Sequence, residues 1–192
     1  MKLYLSNQKN NFPEHLKSLK KQDINVYDLS QLTEKKSVID IDTCKTLKEL
    51  NLSFFFDYKI FPDNIMEYLT EWGYEKREMR VGDTIVQQAF IPPFRQFSQK
   101  IIFGVRVNKI INEPTKLGFS YETIKGHPEK GISIFTIENT SDGKIIFKIH
   151  TFSVPGNFLA KLVGALFSIP YQKFCTKQGL KNIKHQLENH LN

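Results

Sequence analysis

From Tyr74 to Val154 the apolar residues fall on every second position, and the pattern stops at Pro155-Gly156. A period of two puts successive side chains on opposite faces of a strand. Residues 84–90 read as one strand, halted by Pro92-Pro93. In 101–111, Ile101, Phe103, Val105 and Val107 share one side against Ile102, Gly104, Arg106 and Asn108. In 116–124, Leu117, Phe119, Tyr121 and Thr123 oppose Gly118, Ser120 and Glu122. Segments 131–138 and 144–154 follow, joined through Thr140-Ser141-Asp142-Gly143, where Asp-Gly supplies the positive φ of a tight turn. Strands in succession with short turns make an antiparallel meander.

Past the break the period becomes helical. Leu159, Leu162, Val163, Leu166 and Ile169 are spaced for one buried face, and Leu180, Ile183 and Leu187 continue it beyond Pro170. The spacing predicts one helix of roughly 50 Å, kinked at Pro170, or two shorter ones joined there. A sheet with one apolar face and a long apolar helix must bury them on each other. The fold class expected is therefore α+β, an antiparallel sheet packed on a long C-terminal helix. The half before Pro170 is expected to be gripped. The half after it carries Lys173, Lys177, Lys181 and Lys184 on a neighbouring side and is expected to face water or a partner.

The first 50 residues read as a lead-in packed on the main body, with 51–192 as the domain proper. Residues 2–5, 24–27 and 38–41 are short extended candidates, and Pro13 opens a short helix carrying Leu16 and Leu19. Residues 52–60, with Phe54, Phe55 and Phe56, read as a strand. A helix is expected from Pro62, because Ile65, Met66, Leu69 and Trp72 follow the i, i+3, i+4, i+7 rule and Gly73 supplies a stop.

At 192 residues the chain suits one sizeable core, and its 16 Phe, 7 Tyr and 1 Trp suffice to fill it or to line a cavity. Cys44 and Cys175 are too far apart in sequence for a metal motif or a disulfide framework, and neither a phosphate loop nor a dinucleotide fingerprint occurs. No metal and no cofactor are expected. The opening Met1-Lys2-Leu3-Tyr4-Leu5-Ser6 is too short an apolar run for a signal peptide, so a cytoplasmic location with reduced thiols is expected. Net charge is +7, of which residues 151–192 hold +4 (5 basic, 1 acidic). That makes a local basic stripe rather than a polyanion-binding face. Because no aromatics interleave with the lysines, no nucleic-acid partner is expected. A membrane surface met by residues 158–169 and the lysines is a further reading. Oligomeric state is not legible.

Two places carry groups able to do chemistry. His127 and Glu129 sit two apart in a Gly-bounded loop; they make a general base with an orienting carboxylate, or merely a turn whose side chains are solvated. His150 lies on the strand side of Ile146, Lys148 and Phe152, opposite Ile145, Phe147 and Ile149, and either lines a half-polar cavity or is an ordinary strand residue. Cys175, near Lys173 and Lys177, reads as an inert helical thiol.

The motifs Gly118-Phe119-Ser120-Tyr121, Gly126-His127-Pro128-Glu129-Lys130-Gly131, Phe135 and Phe152-Ser153-Val154-Pro155 resemble uncharacterised protein family 0548, a domain of unknown function grouped with the START-like, or helix-grip, proteins. Where that family has an acidic pair after the second loop glycine, this chain has Ile132 and Ser133; where it has a basic residue before the final proline, this chain has Val154. The resemblance implies a curved antiparallel β-sheet wrapped around the long C-terminal helix, with a space between them for a small apolar or amphipathic ligand. Trp72, Phe90, Phe103, Phe119 and Tyr121 would line it, and Tyr121, His150 and Ser153 would orient the ligand. Rival readings are an enzyme acting on such a ligand through His127, Glu129 or His150, and the membrane-surface protein above.

Overall fold

Alternation needs a partner strand on each side, and the chain supplies them almost entirely from sequence neighbours. In chain order the strands are β1 (Lys2–Tyr4), β2 (Thr33–Ile41), β3 (Met66–Thr70), β4 (Thr84–Ile91), β5 (Gln99–Glu113), β6 (Lys116–Thr123), β7 (Glu129–Asn139) and β8 (Ile145–Pro155). The helices are α1 (Phe12–Leu19), α2 (Ser53–Phe56), α3 (Glu71–Glu75) and α4 (Phe158–Asn189). The computed structural model describes residues 2–91, 98–156 and 158–189, with side chains of the last span from Gln172 onward. All pairings are antiparallel, in the order β2-β8-β7-β6-β5-β4-β3, with β1 on β5. The meander from β4 to β8 is thus as the alternation predicts. The turn before β8 closes through Gly143 N–H to Thr140 O at 2.9 Å, with Gly143 at φ 82°. A register shift between Val107 and Lys109 inserts a bulge into β5, the usual device for bending a sheet.

Each face of the bent sheet is covered by a helix. On the outer face, Phe12, Leu16 and Leu19 of α1 pack on Val86, Ile102 and Ile124. Arg106 fixes that helix by donating to the carbonyls of Leu19 (3.1 Å) and Gln22 (3.0 Å), where the helix dipole favours a cation. The inner face holds the main core, in which Phe55, Phe119, Phe135, Ile137 and Phe147 meet Ile183 and Leu187 of α4. At 1.5 Å per residue α4 is about 48 Å long. Its C-terminal half is tied down on both sides. Lys184 pairs with Asp42 (2.7 Å) and Glu188 (2.8 Å), while Asn182 and Gln186 donate to Lys59 O (3.1 and 2.8 Å).

The fold class is as expected, with corrections in the middle of the chain and at its ends. Residues 52–60 are not a strand. The carboxamide of Asn51 accepts from Ser53 N–H (3.1 Å), α2 makes one turn, and Tyr58 at φ 66° turns the chain back. A Phe triplet has no period of its own, so its apolar residues do not separate strand from helix. Nor is 62–73 a helix. After a turn at Pro62 the chain runs as β3, which exposes Met66 and Tyr68 to the inner core and Leu69 to α1. A strand that buries apolar residues on both faces can imitate helical spacing. Only then does α3 begin, capped by the Thr70 hydroxyl on Gly73 N–H (3.1 Å). Residues 1–50 do more than pack on a finished body: β2 is an edge strand and β1 completes the flank of β5. The expected burial of Leu159, Leu162, Val163, Leu166 and Ile169 lies outside the described side chains. The expected lysine stripe is interrupted, since Lys184 is half-buried in its ion pairs while Lys173, Lys177 and Lys181 are exposed.

Candidate functional site

The core-facing phase of three neighbouring strands changes character at one level. On β8 it runs Ile145, Phe147, Ile149, then Thr151 and Ser153; on β7, Ile137 and Phe135, then Ser133 and Gly131; on β6, Leu117 and Phe119, then Tyr121 and Thr123. Pairing aligns Tyr121 with Ser133, Ser133 with Thr151 and Thr151 with Lys35, so the change forms a polar row crossing four strands on the inner face. Tyr121, Ser133 and Thr151 are half-buried, whereas Phe119, Phe135 and Ile149 one step along are buried. Solvent therefore reaches the row although it lies on the side covered by α4. Beside the main core, a smaller apolar wall of Ala89, Ile101 and Phe103 lies on β4 and β5, with Met66 packed against both.

The row is wired from both ends. At one end, buried Gln87 donates through Nε2 to the hydroxyl of Tyr58, and Tyr121 is within hydrogen-bonding reach of Tyr58, Gln87 and Ser133. Ser133 Oγ and Thr151 Oγ1 are 3.1 Å apart. Tyr58 is fully buried with φ 66°, a conformation that a bulky side chain adopts only when its surroundings fix it, and such strain gathers at functional sites. Burial pushes the Tyr58 and Tyr121 hydroxyls above the ordinary phenol range, so both remain protonated. Beyond the row, two inward positions past Ser133 on β7, stands Glu129, which the other end reaches through Lys35. Gln172 of α4 donates to Glu129 Oε1, and Lys35 Nζ donates to Gln172 Oε1 at 2.8 Å. Burial raises the Glu129 carboxyl above its usual range, against the opposing pull of Lys35, Ser153 and Gln172.

The loop that presents Glu129 depends on its own sequence. Gly126 sits at φ 85°, and a Cβ on Gly131 would lie 1.9 Å from Phe152 O. Asn25 reaches in from the lead-in and donates to Thr123 Oγ1 and Ile124 O, both at 3.0 Å. The His127 Nδ1 accepts from Glu129 N–H (2.9 Å) while the ring packs edge-on against Phe103, 4.6 Å between centroids. Burial lowers the His127 pKa to about 3. A neutral imidazole committed to its own backbone locks a turn and is not poised as a base near neutral pH.

The expected site residues are dispersed. Tyr121 and Ser153 stand on the polar side of the inner face, and Phe103 belongs to the smaller apolar wall. Phe119 is on the same face but sealed among Phe55, Tyr58 and Phe135, and Trp72 is buried in the main core beside it. Phe90 and His150 point the other way. Phe90 shares the strand face of Val86 and Gln88, and His150 faces outward, 2.6 Å from Glu34. His150 therefore does not line the row, because its neighbours in the chain, Ile149 and Thr151, take the inward positions. Glu129 faces inward as a carboxyl apart from the His127 ring rather than as its partner. Tyr58, Gln87, Ser133, Thr151, Gln172 and Lys35 were not anticipated. Ser133 and Thr151 were marked in the sequence as polar residues on an otherwise apolar phase; nothing local marks Tyr58 or Gln172. Among the described residues no three His, Cys, Asp or Glu side chains converge to hold a metal ion, and no described helix is long and apolar enough to cross a membrane.

Residues 56–181 match the family described as Domain of unknown function (DUF1990). The chain belongs to that family. The match takes in β3 to β8, the strained Tyr58, the polar row and α4 to beyond Gln172, so the row is built within the DUF1990 segment except for Lys35. No curated protein matches the chain at a significant level. Among solved structures it is similar to the hypothetical protein jhp0584 from Helicobacter pylori, with a TM-score of 0.53 and 8% identity over 82% of this chain and 88% of that one. It is also similar to ginseng major latex-like protein 151 from Panax ginseng, at a TM-score of 0.47 and 8% identity over 81% of this chain and 97% of that one. The first likeness concerns the fold of this DUF1990 member and not its chemistry.

Proposed function

We propose that this DUF1990 protein is a binding module for a small amphipathic molecule, held between the polar row of the inner face and α4. One observation carries the reading. A row of solvent-reached hydroxyls, fed by a strained buried tyrosine, stands where a structure selected for stability alone would continue its apolar core. Buried or half-buried polar groups need partners, and a row of them costs stability that apolar side chains at the same positions would supply. The ligand's apolar body would lie along Ala89, Ile101 and Phe103, each 1 Å² of apolar surface removed from water contributing about 25 cal/mol. Its polar end would meet Tyr121, Ser133 and Thr151. A cleft of about 70 Å³ between α1 and the turn at Lys125-Gly126 is too small for such a molecule.

Titration with the uncharged fluorophore N-phenyl-1-naphthylamine tests the reading. Saturable uptake near one per chain, with a blue-shifted emission, is expected. It should be lost in Ser133→Phe, which fills the middle of the row. No uptake by the folded wild-type chain overturns the assignment.

A further inference from the structure

The chemistry of the row also selects the polar end of the ligand, an inference that rests on the binding reading above. Charged side chains at the row are few among the described residues. Glu129 presents its carboxyl from β7, and Lys35, at the far end on the edge strand, is exposed with its Nζ committed to Gln172. From the other elements the described residues bring only neutral groups: Tyr58 ahead of β3, Gln87 of β4, Tyr121 of β6, Ser133 of β7, Thr151 and Ser153 of β8, and Gln172 of α4.

We propose that the site takes an apolar body ending in an uncharged or positively charged hydrogen-bond donor, an alcohol or an amine, and rejects the same body ending in a carboxylate. A carboxylate accepts at about four lone-pair sites. Ser153 and Gln172 approach Glu129 as neutral donors and leave acceptor capacity on its carboxylate. The hydroxyls of Ser133 and Thr151 each offer further lone pairs, and Tyr121 supplies a donor in return. An ammonium gains Coulomb attraction to Glu129. An anionic head placed beside Glu129 meets a second carboxylate on a half-buried face, with no described buried cation facing it, and two such charges oppose each other's ionisation. The repulsive element, more than the attractive one, sets the specificity.

Isothermal titration of the full chain near pH 7.5 with 1-octanol, octylamine and octanoate tests this, because the three share one apolar body. Octanol and octylamine are expected to bind about tenfold or more tighter than octanoate. Octylamine exceeding octanol assigns the selection to charge; parity assigns it to hydrogen-bond donation. Glu129→Gln, checked for folding by circular dichroism, should bring octanoate to within about threefold of octanol. Octanoate binding as well as octanol to the wild-type chain overturns the inference and needs no variant. An unchanged order in folded Glu129→Gln overturns it as well. Binding of none of the three by the folded chain takes down the binding-module reading itself. A common affinity for all three leaves that reading standing and removes only this one.

Discussion

Two halves of one sheet face make opposite demands on the helix laid over them. At the core end, Phe135, Ile137 and Phe147 enclose Ile183 and Leu187, and the helix is fixed at both flanks by Asn182, Lys184 and Gln186. At the polar end, two positions further along the same strands, the inward side chains are Tyr121, Ser133 and Thr151, and the described tie to α4 is Gln172 on Glu129 and Lys35. Strands β6, β7 and β8 are continuous and their pairing with one another is unbroken, so secondary structure does not account for the difference along them. What differs is the side-chain chemistry on one phase. A single sheet can thus combine an end that secures the fold with a polar end that, in the proposed reading, spends some of that stability on recognition.

The sharpest way to break the comparison is to make truncations on the same strand, β8, at the two ends. Phe147→Ala removes a fully buried ring and should lower unfolding free energy by about 3–5 kcal/mol in urea titration. Thr151→Val keeps the shape and should change it by under about 1 kcal/mol. If the two variants lose similar amounts, the polar end is as much a part of the core as the apolar end, and the division fails.

This contrast also shows what could be read from the residues. The sheet was legible because alternation survives wherever one face is buried, and β4 to β8 each have such a face. The helix was legible from its apolar stripe. Residues 52–73 were not, because α2 and β3 bury apolar side chains on more than one side and so carry no period that separates helix from strand. At the site, the polar row was half legible. Ser133 and Thr151 interrupt apolar phases in a way that sequence displays, and Tyr121 and Ser153 were expected at the ligand. Tyr58 and Gln172 come from segments far away in the chain, joined to the row by tertiary contacts that no local spacing encodes. His150 looked chemical because of its residue type, but parity along β8 turns it outward.

A second test asks whether the turn at the polar end stands on a neutral imidazole. His127 has a folded pKa near 3, below the ordinary 6.5, so the folded chain holds its neutral form. Its contribution is full above about pH 6.5 and is lost as pH falls from there toward 3, because the unfolded chain takes up the proton first. For a half-buried ring the loss by pH 4 should be on the order of 2 kcal/mol. His127→Gln should flatten this acid limb in thermal melts between about pH 4 and 7. An identical acid limb in the variant removes the imidazole from the account.

Smaller is the effect expected at the strained tyrosine. Tyr58→Phe deletes the acceptor of Gln87 Nε2 and leaves a buried amide dependent on Tyr121. A loss of about 1–2 kcal/mol is expected in urea titration, together with weaker fluorophore uptake, since the hydroxyl also positions Tyr121. A stability loss with unchanged uptake would place Tyr58 with the core end and move the boundary of the site by one residue.

The smallest effect has the opposite pH sign, which makes it the most specific. The Glu129 carboxyl is raised by burial, so the fold favours its protonated form. That contribution is full below the unfolded carboxyl range near 4.5 and is lost as pH rises through the higher folded value. The amide in Glu129→Gln can keep a polar head at the same place without the charge. Relative to wild type the variant should therefore be neutral near pH 4 and gain about 0.5–1 kcal/mol by pH 8, a modest figure because Lys35 and the rim solvent screen the charge. Melting temperatures of the two chains across that range decide it. A gap that widens toward acid, or none at any pH, would mean that the carboxylate is already well compensated by the polar end. The recess would then no longer oppose an anionic head, and the two halves of the inner face would differ in polarity without differing in electrostatic cost.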